Sequence, residues 1–322
     1  MARYYRADLE QNLPISTEIT GYAAAGYCYL FELSQDEEYL QAARRAGDFL
    51  AGKAWNAADQ VMPFELSGPK GYSYFFDCGI IARSLLWLWR ITQQENYLDV
   101  AKQIGKSMQK DFRGLSSFHP IILLPCKSPA PYEIWWSRMP GAFQLKSALA
   151  WKDLAAETGE AQFEASYEEL LRFSLRRYSE TLDNEQDRPK LMDRLHAWAY
   201  FLEGLQPVKD RPEVHAILKS ALERGETLRE ELAAGFLRSD VCAQLLRIRL
   251  LEGAKPADGE IARLESFQFA PGDPRTAGSF SFGRRDGEIT PHANPVSTVF
   301  AIQALAMANN PSIAGFDWRK LY

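Results

Sequence analysis

Two carboxylates, Glu18 and Asp77, stand at the starts of segments that are apolar on nearly all sides, TEITGYAAAGYCYLF and FFDCGIIARSLLWLW. Cleavage of a glycosidic bond by acid and base uses two carboxyl groups whose separation sets the stereochemical outcome. Glu18 and Asp77 are therefore candidate catalytic residues. Tyr74, Phe75 and Phe76 precede Asp77, and an apolar wall disfavours the charged carboxylate, which moves it toward a useful general acid. The alternative is that each carboxylate merely complements a helix N-terminus. Asp193 and His196 are three residues apart and share a helix face. They could form an oriented histidine base, or a capping aspartate beside a core histidine. Asp240, just after Arg238 and Ser239, reads as a cap, an ion pair or a substrate contact.

A second group of residues suits binding. Arg284, Arg285, His292 and Asn294 cluster in GRRDGEITPHANP, and Arg138 precedes Met139-Pro140. A guanidinium can hold a uronate carboxylate or a sulfate through two parallel hydrogen bonds; the alternative for the first four is a solvated polar turn. Tyr132, Trp135 and Trp136 lie in a proline-rich stretch and are candidates to stack on sugar rings or to pin a loop by burial. Tyr74 joins the binding candidates. Trp87 and Trp89 read as core.

Composition narrows the field. A net charge of -5 over 322 residues favours neither nucleic acid nor an anionic membrane as partner. No apolar run is long enough to span a bilayer. The opening MARYYRADLE has no apolar signal region, so a cytoplasmic location is expected. Cys28, Cys78, Cys126 and Cys242 are far apart and form no metal-binding pair, so reduced thiols are expected. No phosphate-binding loop, nucleophile elbow or H-E-x-x-H is present. The reading includes no cofactor and no metal, and the oligomeric state is open.

These residues must be positioned by helices, because the dominant pattern is an alternation of two helix types. Ser16 to Gly52 holds a helix apolar all round, which must be buried, followed by one with a single apolar stripe, which lies on a surface. The pair repeats. ELSQDEEYLQAARRAGDFL from Glu32 matches RITQQENYLDVAKQIGKSM from Arg90, and a weaker copy, AAETGEAQFEASYEELLRF, begins at Ala155. Ser34, Thr92 and Thr158 align as N-caps, with Glu37 and Glu95 completing capping boxes. Tyr39, Tyr97 and Phe163 align as aromatic anchors. Inner helices are expected from near Thr17, Phe76, Pro140, Leu191, Arg238 and Pro295, with a sixth outer position filled from near one terminus. Two segments break the rhythm: Phe112 to Ser137, with four prolines and an IILL run, and Gly278 to Thr290, where Asp286-Gly287 signals a hairpin.

Short links make every outer helix antiparallel to the inner one before it, so all inner helices point the same way. In a closed ring their N-termini share one face, where positive dipole ends favour an anionic or polyhydroxylated ligand. Thr17-Glu18-Ile19-Thr20-Gly21-Tyr22, Phe76-Asp77-Cys78-Gly79, and Gly278-Ser279-Phe280 through Asn294-Pro295-Val296-Ser297-Thr298 resemble motifs of the (α/α)6-toroid, six-hairpin glycosidase-like superfamily. The likeness is strongest to members that accompany polysaccharide genes. The second motif usually continues Asp-Thr-Gly-Gln; Cys78 and Ile80 replace Thr and Gln here. The resemblance implies an all-α (α/α)6 toroid of helical hairpins in one domain, residues 1–322, with a proline-rich insertion and a small β-hairpin before the sixth inner helix. By analogy it implies action on an oligosaccharide or polysaccharide, by hydrolysis or elimination at a glycosidic bond. The alternatives are a non-catalytic module that binds a glycan or a protein, and a toroid whose site has decayed. Terpenoid cyclases share related toroids, but their aspartate-rich patterns are missing.

Overall fold

The computed structural model describes residues 1–66, 71–183, 185–309 and 316–322. It divides into two compact units, one comprising Met1, Pro14–Tyr178 and Tyr322, the other Ala2–Leu13 and Ser179–Leu321. The first two strands, β1 (Tyr5–Arg6) and β2 (Gln11–Asn12), belong to the second unit.

The first unit is built from three helical hairpins: α1 (Thr17–Ser34) with α2 (Glu37–Asp48), α3 (Phe75–Thr92) with α4 (Glu95–Asp111), and α5 (Gln144–Thr158) with α6 (Ala161–Arg177). The odd-numbered members are buried on nearly all sides, whereas α2, α4 and α6 bury one stripe, such as Leu40, Ala43 and Gly47 on α2. Strand β3 (Gly71–Tyr74) leads directly into α3. It pairs with β4 (Ile121–Leu124), which pairs in turn with β5 (Ser128–Pro129). The IILL run of the proline-rich insertion is thus a strand, as its β-branched composition requires.

Cross-helix contacts set the directions. A Cβ on Gly79 would lie 2.3 Å from the Ser147 carbonyl oxygen, so α3 and α5 touch near their starts. Near their ends Arg90 meets Asp153 and Glu157. Likewise Gly21 abuts Ile81, and Trp87 Nε1 donates to Glu32 Oε1 at 2.8 Å. Helices α1, α3 and α5 are therefore parallel.

The three turns between hairpin members keep the repeat but change its chemistry. Ser34, Thr92 and Thr158 are the last residues of inner helices, not the N-caps that their alignment suggested. Each hydroxyl donates to the carbonyl four residues back, Leu30, Leu88 and Leu154, at 2.7–2.8 Å. Each also accepts from the backbone N–H two residues on. Gln35, Gln93 and Gly159 then turn the chain with φ of 58°, 56° and 71°. Asp36, Gln94 and Glu160 are the N-caps of the outer helices, so no capping box forms with Glu37 or Glu95. Aromatic anchoring is firm at Tyr97 and Phe163, both buried, and partial at Tyr39. Gly47 and Gly105, equivalent in the repeat, admit the next hairpin: a Cβ at either would lie 2.4 Å from a leucine methyl, of Leu88 or Leu154. Trp87 is core, but Trp89 is only half-buried, because it lies near the open end of its helix.

The second unit contains α7 (Glu180–Asp183), α8 (Arg188–Gly204), α9 (Pro212–Leu232), β6 (Phe236–Arg238), α10 (Ser239–Leu251) and α11 (Glu260–Glu265). It continues with β7 (Gly283–Arg285), β8 (Glu288–Ile289), β9 (His292–Ala293) and α12 (Pro295–Ala308). Prolines at the first turns of α9 and α12 fix the starts read from the sequence. Strands β7 and β8 form the expected hairpin, with Asp286 and Gly287 at φ 49° and 85°, the pattern of a two-residue turn matched to strand twist. β6 pairs with β7, and β9 pairs with β1. His196 meets Gln244 and Glu203 meets Arg247, so α8 and α10 are parallel; Arg247 meets Gln303 at a matching depth of α12. Near the termini the described residues supply strands β1 and β2 and one 3-10 turn, Trp318–Lys320, and no sixth outer helix. Among the described residues no helix is long and apolar enough to cross a membrane. All four cysteines are free thiols; burial pushes Cys78 and Cys242 up to about 12, which keeps them protonated.

Candidate functional site

In the first unit Glu18 and Asp77 occupy the first turns of α1 and α3. Glu18 is half-buried and Asp77 buried. Of the aromatics ahead of Asp77, Phe75 turns into the core against Phe112, Phe118 and Trp151, with ring centroids 5.4–5.7 Å away. Phe76 instead packs on Phe143, which carries Trp136 edge-on at 5.0 Å. Trp136 thus pins the insertion. Trp135 and Tyr132 are exposed, and Tyr132 Oη lies 2.7 Å from His119 Nδ1. Tyr74 packs on Phe64 at 5.0 Å. Arg138 pairs with Glu133 in its own loop. A cavity of about 530 Å³ in this unit is lined by Trp55, Asn56, Glu65 and Leu124 among others, and by none of the residues singled out from the sequence.

The second unit gathers three of the candidates into one cluster. Arg238, at the end of β6, is its hub: Nη1 donates to Asp193 Oδ1 at 2.8 Å, and Nε and Nη2 donate to the two oxygens of Asp240 at 2.9 and 2.7 Å. The guanidinium also lies 4.5 Å from the centroid of Phe282. Held on three sides, it is a fixed positive charge. Burial opposes the Asp240 charge, yet Arg238 and then His196 hold the carboxyl below its ordinary range. Burial likewise pushes the His196 imidazole down to about 4, against the pull of Asp240.

The sequence pairing of Asp193 with His196 is corrected by the structure. Asp187, not Asp193, caps α8. Asp193 turns to Arg238, and His196 Nδ1 lies 2.7 Å from Gln244 Oε1 and 3.8 Å from Asp240 Oδ2. Arg238 and Gln244 were missed as site residues. The available signal was polarity out of place, an arginine and a glutamine inside the apolar run FLRSDVCAQLL.

The hairpin group does not converge on one point. Arg284 donates to the Ser266 carbonyl at 3.3 Å and lies over Phe267, while Arg285 lies exposed over Phe236. His292 packs edge-on to Tyr4 at 5.1 Å. Asn294 is the N-cap of α12, its Oδ1 accepting from the N–H groups of Val296 and Ser297. Neither Arg284 nor Arg285 makes an ion pair among the described residues.

Buried inner helices, each followed by an amphipathic outer one and parallel within each unit, are the construction of the (α/α)6 toroid, and that is the fold of this chain. Solved structures similar to it are a sugar epimerase from a ruminal bacterium (TM-score 0.73, 10% identity, covering 98% of this chain and 92% of that one) and a cellobiose 2-epimerase from Bacillus thermoamylovorans (0.72, 10%, 94% and 92%). A GH76 α-mannanase from Bacteroides thetaiotaomicron is similar at a TM-score of 0.51 and 14% identity, over 96% of this chain and 76% of that one. No family model and no curated protein matches the sequence.

Proposed function

We propose that this chain, acting as one domain over residues 1–322, is a carbohydrate-active enzyme that processes an oligosaccharide, and that His196 is its base. The observation that carries this reading is a buried histidine, neutral at neutral pH and held at Nδ1 by Gln244, midway along one of two parallel inner helices. Such a group suits removal of a proton from a sugar carbon next to a carbonyl. In a uronate the electron pair left behind forms a double bond as the glycosidic C–O bond breaks and the leaving oxygen takes a proton from protonated His196 or water, which is elimination. In a reducing sugar His196 keeps the proton it took and water or a second acid delivers one to the opposite face, which is epimerisation. The epimerase structures support the fold and the substrate class by analogy. Arg284 and Arg285, in the same unit as His196, supply the positive charge for an acidic sugar.

Hydrolysis is the second reading. Asp193 and Asp240 are both engaged by one guanidinium, so it rests on Asp77 and Glu18, which open parallel helices of one unit. The test is incubation in D2O with neutral and uronate-containing oligosaccharides, followed by NMR. Deuterium on a ring carbon or a new double bond supports the first reading, and H196Q then lowers turnover by ~10²–10⁴-fold. New reducing ends without deuterium, lost in D77N and retained in H196Q, replace it with the second. Binding without turnover makes the chain a glycan-binding module.

A further inference from the structure

Gln244 is wholly buried on α10, about one turn beyond Asp240. Its Oε1 faces His196 Nδ1 at 2.7 Å. An amide oxygen only accepts, so the proton of the neutral ring sits on Nδ1. Asp240 gives the same answer independently. Its carboxylate, gripped by two nitrogens of Arg238, lies 3.8 Å from that nitrogen, and negative charge there stabilises an N–H pointing toward it. Also near the ring are Tyr200, 4.3 Å away between centroids on the same helix, and, acting through space, the Glu203 carboxylate and the Arg238 guanidinium.

The other end of the amide shows that packing alone did not choose this residue. Gln244 Nε2 is buried and has no hydrogen-bond partner among the described residues. A donor left without an acceptor forfeits its hydration, and a leucine of similar size would avoid that cost. Unsatisfied buried polar atoms concentrate where a site imposes them.

We propose that Gln244 is a positioning residue which, with the Asp240 carboxylate, fixes His196 as the imidazole protonated on Nδ1 and directs its Nε2 lone pair as the proton acceptor. The role rests on the assignment of His196 as base. Gln244 touches no substrate; it acts through the ring.

The experiment uses the full chain with 15N-labelled histidine, the His196 signals being assigned from H196Q. Wild type shows a single neutral tautomer, protonated on Nδ1, that stays unprotonated down to about pH 5. Q244M removes the acceptor and brings in the Nε2–H tautomer. Q244E places a second carboxylate at the ring, and imidazolium appears near neutral pH. On a saccharide that wild type turns over, Q244M lowers kcat by about 10-fold with KM unchanged, and Q244E moves the acidic limb of the pH profile upward by a unit or more. Wild-type protonation on Nε2 overturns the positioning role, as does a Q244M variant whose tautomer and pH profile match wild type. Full turnover by H196Q sinks the base assignment itself, and the NMR result tells the two failures apart.

Discussion

The two units place buried charge between parallel inner helices at different depths. In the first, the charges run from mid-helix to the helix ends: Asp153 takes Arg83 at 3.0 Å and Arg90 at 2.8 Å, and Arg90 also reaches Glu157. The starts of α3 and α5 are joined by small groups instead, with Gly79 on Ser147 and Ser147 Oγ donating to the Phe76 carbonyl at 3.0 Å. In the second unit, a similar internal pair, Arg247 with Glu203, is joined by a cluster that runs from the start of α10, at Arg238 and Asp240, to Asp193 and His196 in the first half of α8. Both arrangements satisfy buried charge. Of these two clusters the second includes an imidazole, which burial keeps neutral at neutral pH. Charge in the first unit ties neighbouring inner helices in register, and charge in the second also surrounds an imidazole.

The comparison is broken most severely by removing one shared carboxylate. D153A removes the carboxylate that Arg83 and Arg90 share, Arg90 keeping only Glu157, and should destabilise the protein by ~3–5 kcal/mol, read as a lower urea midpoint, while turnover per folded molecule stays at the wild-type level. Loss of turnover at full stability would reverse the roles assigned to the two units.

Acid sharpens the comparison next. The folded-state value of His196 lies below the free histidine value, so unfolding takes up a proton between the two. Its contribution to stability is complete above about pH 6.5 and is lost as pH falls toward about 4. The loss is on the order of 3 kcal/mol. Urea unfolding at pH 7 and pH 4.5 should show a smaller difference for H196Q than for wild type; equal differences would mean that the imidazole does not lie in a buried, charge-averse setting.

Packing within the repeat gives a smaller effect. G105A drives a methyl group against Leu154 and Phe163 and should cost ~1–3 kcal/mol, seen as a lower melting temperature with an unchanged pH dependence. The smallest effect belongs to the exposed Arg138–Glu133 pair. R138A should change stability by under ~1 kcal/mol, and a larger loss would show that the loop is held through that arginine.

Much of the fold was legible in the residues. Pro212 and Pro295 mark helix starts because their fixed φ suits a first turn, and Asp286-Gly287 marks a hairpin because it accepts two positive φ values. The inner and outer alternation follows from which faces are apolar. The turns were misread for a local reason: a serine or threonine near a helix boundary can cap the next helix or bond back to its own. Thr92 and Thr158 do the latter, and the choice depends on where the inner helix stops. Inner helix α5 begins at Gln144, four residues after Pro140, because a turn over residues 141–143 precedes it.

The candidate site was legible only in part. His196, Asp193 and Asp240 stood out as polar groups in apolar surroundings, but their partners did not. Arg238 reaches Asp193 across 45 positions, and Gln244 reaches His196 across 48. The sequence by itself determined which segments are helices, which faces they bury and where several of them begin, because these follow from torsional preference and periodicity along the chain. Only the tertiary structure decided which carboxylate grips which arginine and which ring nitrogen carries the proton. Those choices depend on the rotation and depth at which two parallel helices meet, and packing sets both.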